Sequence, residues 1–295
     1  MAKKMENAAL VVLSGGQDST TCLYEAKKHQ RQGKFRRLHA ITFDYGQRHR
    51  LEIDAAAWVG FLSGLLPVEL DEKNRYLSVR SRMERYLGID EEHEDTRIPV
   101  PIEAWDTHET LKVGRILTAT SPLLDISSNV GQYNSPAEMP GGVEPTFVPM
   151  RNMLFAVIAA NRAVRLGASS IYLGVCEEDY GGYPDCRSRF INSLLHTIHE
   201  SLDSDFGKQL RIATPLMSRS KRQTVELAME NGAYPILSRT HTCYRGEFPP
   251  CGRCHACIIR ARGFDECCVS DPLIVRAIEE GGLPSNYPKT GLVVQ

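Results

Sequence analysis

Residues 8–13 (AALVVL) form an uninterrupted apolar run that ends at a Ser-Gly-Gly turn. A run this short, with no polar alternation, predicts a parallel strand buried on both faces. Residues 20–30 carry helical spacing. Residues 38–43 (LHAITF) then repeat the strand pattern ahead of a helix over about 51–64. The rhythm continues with a short strand at 110–113, a strongly apolar helix at 152–166 and a strand at 170–175 (SIYLGV). A helix at 189–202, a last core strand at 210–214 and a helix at 222–231 complete it. Alternating strands and helices predict an α/β fold built on a doubly wound parallel sheet.

Two stretches break the rhythm. Residues 72–106 are rich in charge, including Arg75, Arg80, Arg82, Arg85, Glu91, Glu92, Glu94 and Asp95. They are expected to form a solvated helix and a loop inserted into the core at about 68–106. Residues 127–146 carry Gly131, Pro136, Pro140, Gly141, Gly142 and Pro145, as expected of an irregular loop at an active site. The expected division is a core domain over 8–240 and a C-terminal region over 241–295.

Composition narrows the partners. The 295-residue chain has a formal net charge of −1, which weighs against nucleic acid or an anionic membrane as the main partner. No apolar run is long enough to span a bilayer, and 8–13 is too short for a signal-peptide core, so a cytoplasmic protein is expected. Of nine cysteines, Cys243, Cys251, Cys254, Cys257, Cys267 and Cys268 crowd into one segment. In a cytosolic chain of this size, such crowding suggests metal rather than disulfides.

The first candidate chemistry lies at the end of the first strand, in Ser14-Gly15-Gly16-Gln17-Asp18-Ser19-Thr20. Glycines let the backbone approach a phosphate closely, and the opening helix offers unpaired N–H groups and a positive dipole end. The hydroxyls of Ser14, Ser19 and Thr20 add donors, while Asp18 can hold a metal ion or cap the helix. The motif lacks the Gly-Lys-Ser/Thr of a Walker A loop and the Gly-x-Gly-x-x-Gly of a dinucleotide site. A bland strand-to-helix turn with a polar cap is the competing reading. SGGQDST resembles the PP-loop of N-type ATP pyrophosphatases, which cleave ATP between its α and β phosphates to adenylate an acid or amide. That resemblance assigns ATP, with Mg²⁺, to the stretch Leu13, Ser14, Gly15, Gly16, Gln17, Asp18, Ser19, Thr20, Thr21, Cys22 and Leu23.

Four further segments are dense in polar groups where a parallel sheet binds ligands. After the second strand, Asp44, Tyr45, Gln47 and Arg48 crowd one loop, TFDYGQRHR, although a solvated basic helix start would read similarly. Arg151 and Asn152 open the apolar helix and suit a phosphate or a purine-like ring, against the plainer reading of a surface arginine. In residues 174–187, Tyr183 can stack on a ring and Asp185 can accept from a guanine-like edge, with Glu177, Glu178, Asp179 and Arg187 beside them. Lys221 at a helix start opposes the helix dipole, which a reach towards ATP phosphates would explain; a mobile surface lysine is the alternative.

SGGQDST, FDYGQRH, TFVPxRN, GVCExDxxGYPDCR and PLMxxxKxxT together resemble the 7-cyano-7-deazaguanine synthases over nearly all of residues 8–280, apart from the insertion. The resemblance implies ATP-dependent conversion of 7-carboxy-7-deazaguanine and ammonia to the nitrile, through an adenylated acid and then an amide. In that scheme Asp18, Arg151 and Lys221 are catalytic. Tyr45, Gln47, Arg48, Arg151, Asn152, Tyr183, Asp185 and Arg187 bind the deazaguanine and its carboxylate. One departure is Met150, where the family usually has glycine. Transfer of the activated acid to a protein or another amine is the alternative chemistry. Family members are commonly homodimers, and the apolar residues 272–278 are a candidate contribution to such an interface.

Cys243, Cys251, Cys254 and Cys257 supply four thiolates around the turn formers Pro249, Pro250 and Gly252. They suit tetrahedral Zn²⁺, with no open position and hence a structural role. An iron–sulfur cluster has similar ligand needs. The resemblance favours one zinc per chain, with His255, Cys267 and Cys268 left out.

Overall fold

The computed structural model describes residues 7–70, 76–78, 98–99, 106–114, 116–139, 142–177, 182–202 and 209–292. In order, its elements are β1 (Ala8–Val12), α1 (Gln17–Arg31), β2 (Arg37–Asp44), α2 (Leu51–Leu62), β3 (Leu66–Leu70), β4 (Tyr76–Ser78), β5 (Ile98–Pro99) and β6 (Thr107–Lys112). They continue with α3 (Arg151–Leu166), β7 (Ala168–Tyr172), α4 (Ser188–Ser201), β8 (Arg211–Ala213), α5 (Lys221–Glu230), α6 (His255–Glu266) and α7 (Pro272–Glu279). The strands form one sheet in the order β5-β4-β3-β6-β2-β1-β7-β8. The six strands from β3 to β8 in that order pair in parallel, whereas β4 and β5 add an antiparallel edge.

The apolar character of β1 has a direct cause. Ala8 and Leu10 face a layer that includes Ala156, Ala159, Ala160 and Ala163 of α3 and Ile191, Leu194 and Ile198 of α4. Ala9 and Val11 face the other layer, with Leu23 and Ala26 of α1, Ala56 and Val59 of α2, Val225 of α5 and Phe264 of α6. A strand covered on both sides has no position for a polar residue.

The structure revises several expected boundaries. Helix α1 begins at Gln17, three residues before the expected start, because the glycine turn feeds it directly. The strand expected at 110–113 is Thr107–Lys112, in full register with β2. Strand β3 was not anticipated, since Leu66–Leu70 contains Pro67 and Glu69. The insertion expected at about 68–106 therefore begins inside the sheet. The solvated helix expected within 72–106 lies almost wholly outside the described residues, as do Pro140, Gly141, Glu178 and Asp179. Strand β7 ends at Tyr172, leaving 173–175 irregular. In α7, Leu273, Ile274 and Ala277 are buried within the chain, while Pro272, Val275 and Ile278 are half-buried.

The C-terminal segment is tied on by polar groups as well. Arg260 of α6 donates to both oxygens of Asp271 at 2.6 and 2.8 Å, and its Nη1 also donates to Thr240 and Thr242. Asp271 in turn caps α7 by accepting from the Leu273 N–H. Among the described residues no helix is long and apolar enough to cross a membrane.

Candidate active site

The turn after β1 is shaped by its own hydroxyls and by close backbone approach. Ser14 and Ser19 share a hydrogen bond at 3.0 Å, and Ser19 Oγ also donates to the Gly16 carbonyl. Gly15 has φ +86°, and a Cβ there would lie 2.1 Å from the Glu52 carbonyl oxygen, so only glycine fits. Behind the turn, a Cβ on Gly174 would come within 3.0 Å of the Ser19 nitrogen. No side chain caps α1, so its first-turn amides remain available to an anion. Opposite, the His241 N–H donates to the Gly15 carbonyl at 2.9 Å.

These groups open into a cavity of about 220 Å³ at the carboxyl ends of β1, β2 and β7, where an open parallel sheet holds its ligands. Leu13, Ser14, Gly16, Gln17, Asp18 and Ser19 form one wall. Phe43, Tyr45, His49 and Glu52 come from β2 and the start of α2, and Arg151, Asn152 and Phe155 from the first turn of α3. Tyr183 and Cys186 enter from the turn Pro184–Cys186 and the residue before it, and His241, Thr242 and Tyr244 from the segment leading to the cysteines. Phe43 and Phe155 stack face to face, with centroids 4.3 Å apart. A smaller adjoining cavity of about 60 Å³ is lined by Asp18, Lys221, Ile259 and Arg260, and it shares Tyr183 and Tyr244 with the first.

Arg151 is the central charge. Burial works against its guanidinium, but the hydroxyls of Tyr45, Tyr244 and Tyr183 and the Glu52 carboxylate more than compensate, so the net shift is upward. Burial pushes the Tyr45 phenol up to about 12, which keeps it a neutral donor. Glu52 is also disfavoured by burial, yet His49, Gln47 and Arg151 hold its pKa below the usual value. At the smaller cavity, Lys221 Nζ donates to Asp18 Oδ2 at 2.7 Å. Ser220 caps α5 through a capping box with Gln223, which places Lys221 at the helix start despite the dipole. Three buried atoms on the cavity residues, Gln17 Nε2, His49 Nδ1 and His241 Nε2, have no hydrogen-bond partner among the described residues.

Several residues expected at the ligand hold the site from behind instead. Thr20, Thr21, Cys22 and Leu23 are fully buried in α1 and do not line the cavity, and neither does the backbone-packed Gly15. Gln47 ties the turn after β2 by accepting from the Tyr45 N–H and donating to Glu52 Oε1 at 2.9 Å. Arg48 donates to the Ser128 carbonyl and braces the irregular loop. Asp185 accepts from the Asn152 N–H at 3.2 Å, anchoring the turn Pro184–Cys186 to α3. Arg187 donates to the Glu177 carbonyl, away from the cavity. Tyr183 does reach the cavity, with its ring stacked on Phe147 and its hydroxyl bonded to Thr146.

The cavity also uses residues that the motifs did not single out. Glu52 lies three residues after His49, and reading α2 as a solvated helix start hid both. His241, Thr242 and Tyr244 passed as mere flanks of a cysteine.

The sulfur atoms of Cys243, Cys251, Cys254 and Cys257 all lie within 4.8 Å of one another. Cys251 Sγ and Cys257 Sγ are 3.9 Å apart. A tetrahedral zinc with Zn–S bonds of about 2.3 Å requires S···S edges of about 3.8 Å, so the set fits that ion. Hydrogen bonds among the four thiols push Cys243 down and Cys254 and Cys257 up, so the set titrates as one unit. Cys267 and Cys268 lie elsewhere, and His255 is engaged by Glu144 at 2.9 Å.

A family model for queuosine biosynthesis protein QueC matches residues 8–268. A 7-cyano-7-deazaguanine synthase of Gloeobacter violaceus is 41% identical over 268 residues, covering 90% of this chain and 94% of the relative. The synthase of Chromobacterium violaceum is 39% identical over 280 residues, covering 95% and 98%. That of Lysinibacillus sphaericus is 38% identical over 263 residues, covering 88% and 95%.

Proposed function

The chain belongs to the QueC family and is an enzyme of queuosine biosynthesis, and from that premise we propose that it converts 7-carboxy-7-deazaguanine, ammonia and ATP into 7-cyano-7-deazaguanine. The observation that carries this reading is one cavity joining the uncapped start of α1 to the half-buried Arg151. The first can receive the phosphates of ATP and the second a carboxylate.

The chemistry follows in two activations. The acid's carboxylate oxygen attacks the α-phosphorus of ATP, pyrophosphate leaves, and ammonia then displaces AMP to give the amide. A second activation, on the amide oxygen, turns that oxygen into a leaving group, and loss of two protons from nitrogen yields the nitrile. Arg151 holds the substrate carboxylate, and the neutral Tyr45 phenol donates beside it. Amides at the start of α1, with Ser14 and Ser19, cradle the phosphates, and Lys221 offsets the charge that develops on pyrophosphate. Asp18 is the candidate ligand for Mg²⁺, which supplies further phosphate neutralisation when bound. The four cysteines hold one structural zinc, fixing the segment that delivers His241, Thr242 and Tyr244 to the cavity. The unpartnered Gln17, His49 and His241 atoms supply places for a polar ligand to bond.

We further propose a core domain over 8–240 carrying the nucleotide site, a C-terminal zinc region over 241–295, a cytoplasmic location and a homodimer. The test is incubation of the protein with ATP, Mg²⁺, ammonium and 7-carboxy-7-deazaguanine, with products followed by mass spectrometry. Nitrile is expected, and it should be lost on Asp18→Ala. Formation of only an adenylate or an amide by well-folded protein would overturn the assignment.

A further inference from the structure

Two carboxylates face the main cavity among the described residues, Asp18 and Glu52, and they stand in different company. Asp18 pairs with Lys221 at the phosphate turn. Glu52 is held from both sides, with Gln47 Nε2 on Oε1 at 2.9 Å and His49 Nε2 on Oε2 at 3.0 Å. Each carboxylate oxygen accepts more than one hydrogen bond, so this clamp fixes the orientation of Glu52 and, among the described residues, leaves one acceptor position on each oxygen. The same cavity wall carries the aromatic surface of Phe43, Tyr45 and Phe155, against which a flat ring can lie.

Resting on the deazaguanine reading above, we infer that Glu52 is a specificity-determining residue that accepts hydrogen bonds from the adjacent ring N–H and exocyclic amino group of the substrate's pyrimidinone edge. Two acceptors side by side match two neighbouring donors. Adenine presents a single amino group beside an acceptor nitrogen, whose lone pair a carboxylate would repel. The geometry therefore selects the guanine-type ring over the base of ATP. Asp185, the residue expected to serve this edge, is engaged by the Asn152 N–H and does not line the cavity.

Calorimetry with 7-carboxy-7-deazaguanine and its analogue lacking the 2-amino group tests the assignment. Wild-type protein should bind the analogue weaker by on the order of 100-fold or more, because a polar site left unpaired rejects the ligand that fails to fill it. In Glu52→Gln that ratio should fall by at least about ten-fold, while the affinity for ATP stays within a factor of about two. Glu52→Asp serves as the second variant, with the same loss of discrimination expected from the shortened reach. A wild-type protein that binds both ligands equally overturns the inference, as do variants that weaken both while keeping the ratio, since that is the mark of a purely structural role. Weakened ATP with an unchanged ratio would place Glu52 at the adenine instead. If wild-type protein binds neither deazaguanine, it is the substrate reading itself that fails.

Discussion

Lys221 and Asp18 stand 2.7 Å apart at the starts of two helices separated by about two hundred residues of chain. Each is only partly exposed; Asp18 borders both cavities and Lys221 the smaller one. Lys221→Ala is expected to slow pyrophosphate release by on the order of 100-fold, the usual cost of losing one preorganised charge contact in a transition state. Stability should also fall, by about 1–3 kcal/mol, because Lys221 and Asp18 are only 11% and 24% exposed and truncating one member of a shielded pair costs more than at the surface. Urea melts and a pyrophosphate assay on the same preparation separate the two effects.

Metal analysis should find about one zinc per chain. Stripping it with a chelator, or Cys251→Ser, should lower the melting temperature by at least about 5 °C, since binding energy at a structural site is folding energy. Affinity for ATP should weaken in parallel, because His241, Thr242 and Tyr244 lie next to or within the ligand segment. A metal-free chain with unchanged melting temperature would refute the structural role.

His108, on the central strand β6, is buried and bonded through Nε2 to Thr42 Oγ1 at 2.8 Å. Burial pulls its pKa from 6.5 down to about 4. The unfolded chain therefore takes up this proton before the folded one does. Its contribution to stability is complete above pH 6.5 and is lost as the pH falls towards 4, amounting to about 3 kcal/mol over that window. Denaturation curves at several pH values should show this slope, and His108→Asn should flatten it.

Met150 precedes α3 with φ +66°, in the left-handed region, and its side chain is 59% exposed. A non-glycine residue pays roughly 1–2 kcal/mol there, against about 0.5–1 for the extra freedom of glycine in the unfolded chain. Met150→Gly should therefore stabilise the protein by up to about 1 kcal/mol, visible as a rise of about 2–4 °C in melting temperature. A fall would show that the methionine side chain makes a contact worth more than the strain.

The parallel core was legible because β1, β2 and the Ser14–Thr20 turn carry undiluted signals: apolar runs with both faces covered, then glycines at a helix start. Strand β3 was not, because Pro67 and Glu69 disguise it, and only pairing with β6 makes it a strand. At the site, sequence proximity misled. Arg48 and Gln47 sit in the right loop, but Arg48 turns towards backbone and Gln47 braces Glu52, which faces the cavity one helical turn further on. The contribution of residues 241–244 depends on the Gly15–His241 contact, which no local pattern encodes. Tertiary context decided which polar side chains meet a ligand and which merely hold the others.

That contact also bears on how the protein is made. The phosphate turn leaves the ribosome more than two hundred residues ahead of its opposite wall and the cysteines that fix it. Domains form from the N-terminus as synthesis proceeds at about 5–20 residues per second, so the nascent sheet spends many seconds with half of the cavity wall. A ligand stabilises only a state that can bind it. Nucleotide is therefore expected to protect the finished chain and not its precursors, and a chain released before Cys257 should be open to quality-control proteases however much ATP surrounds it.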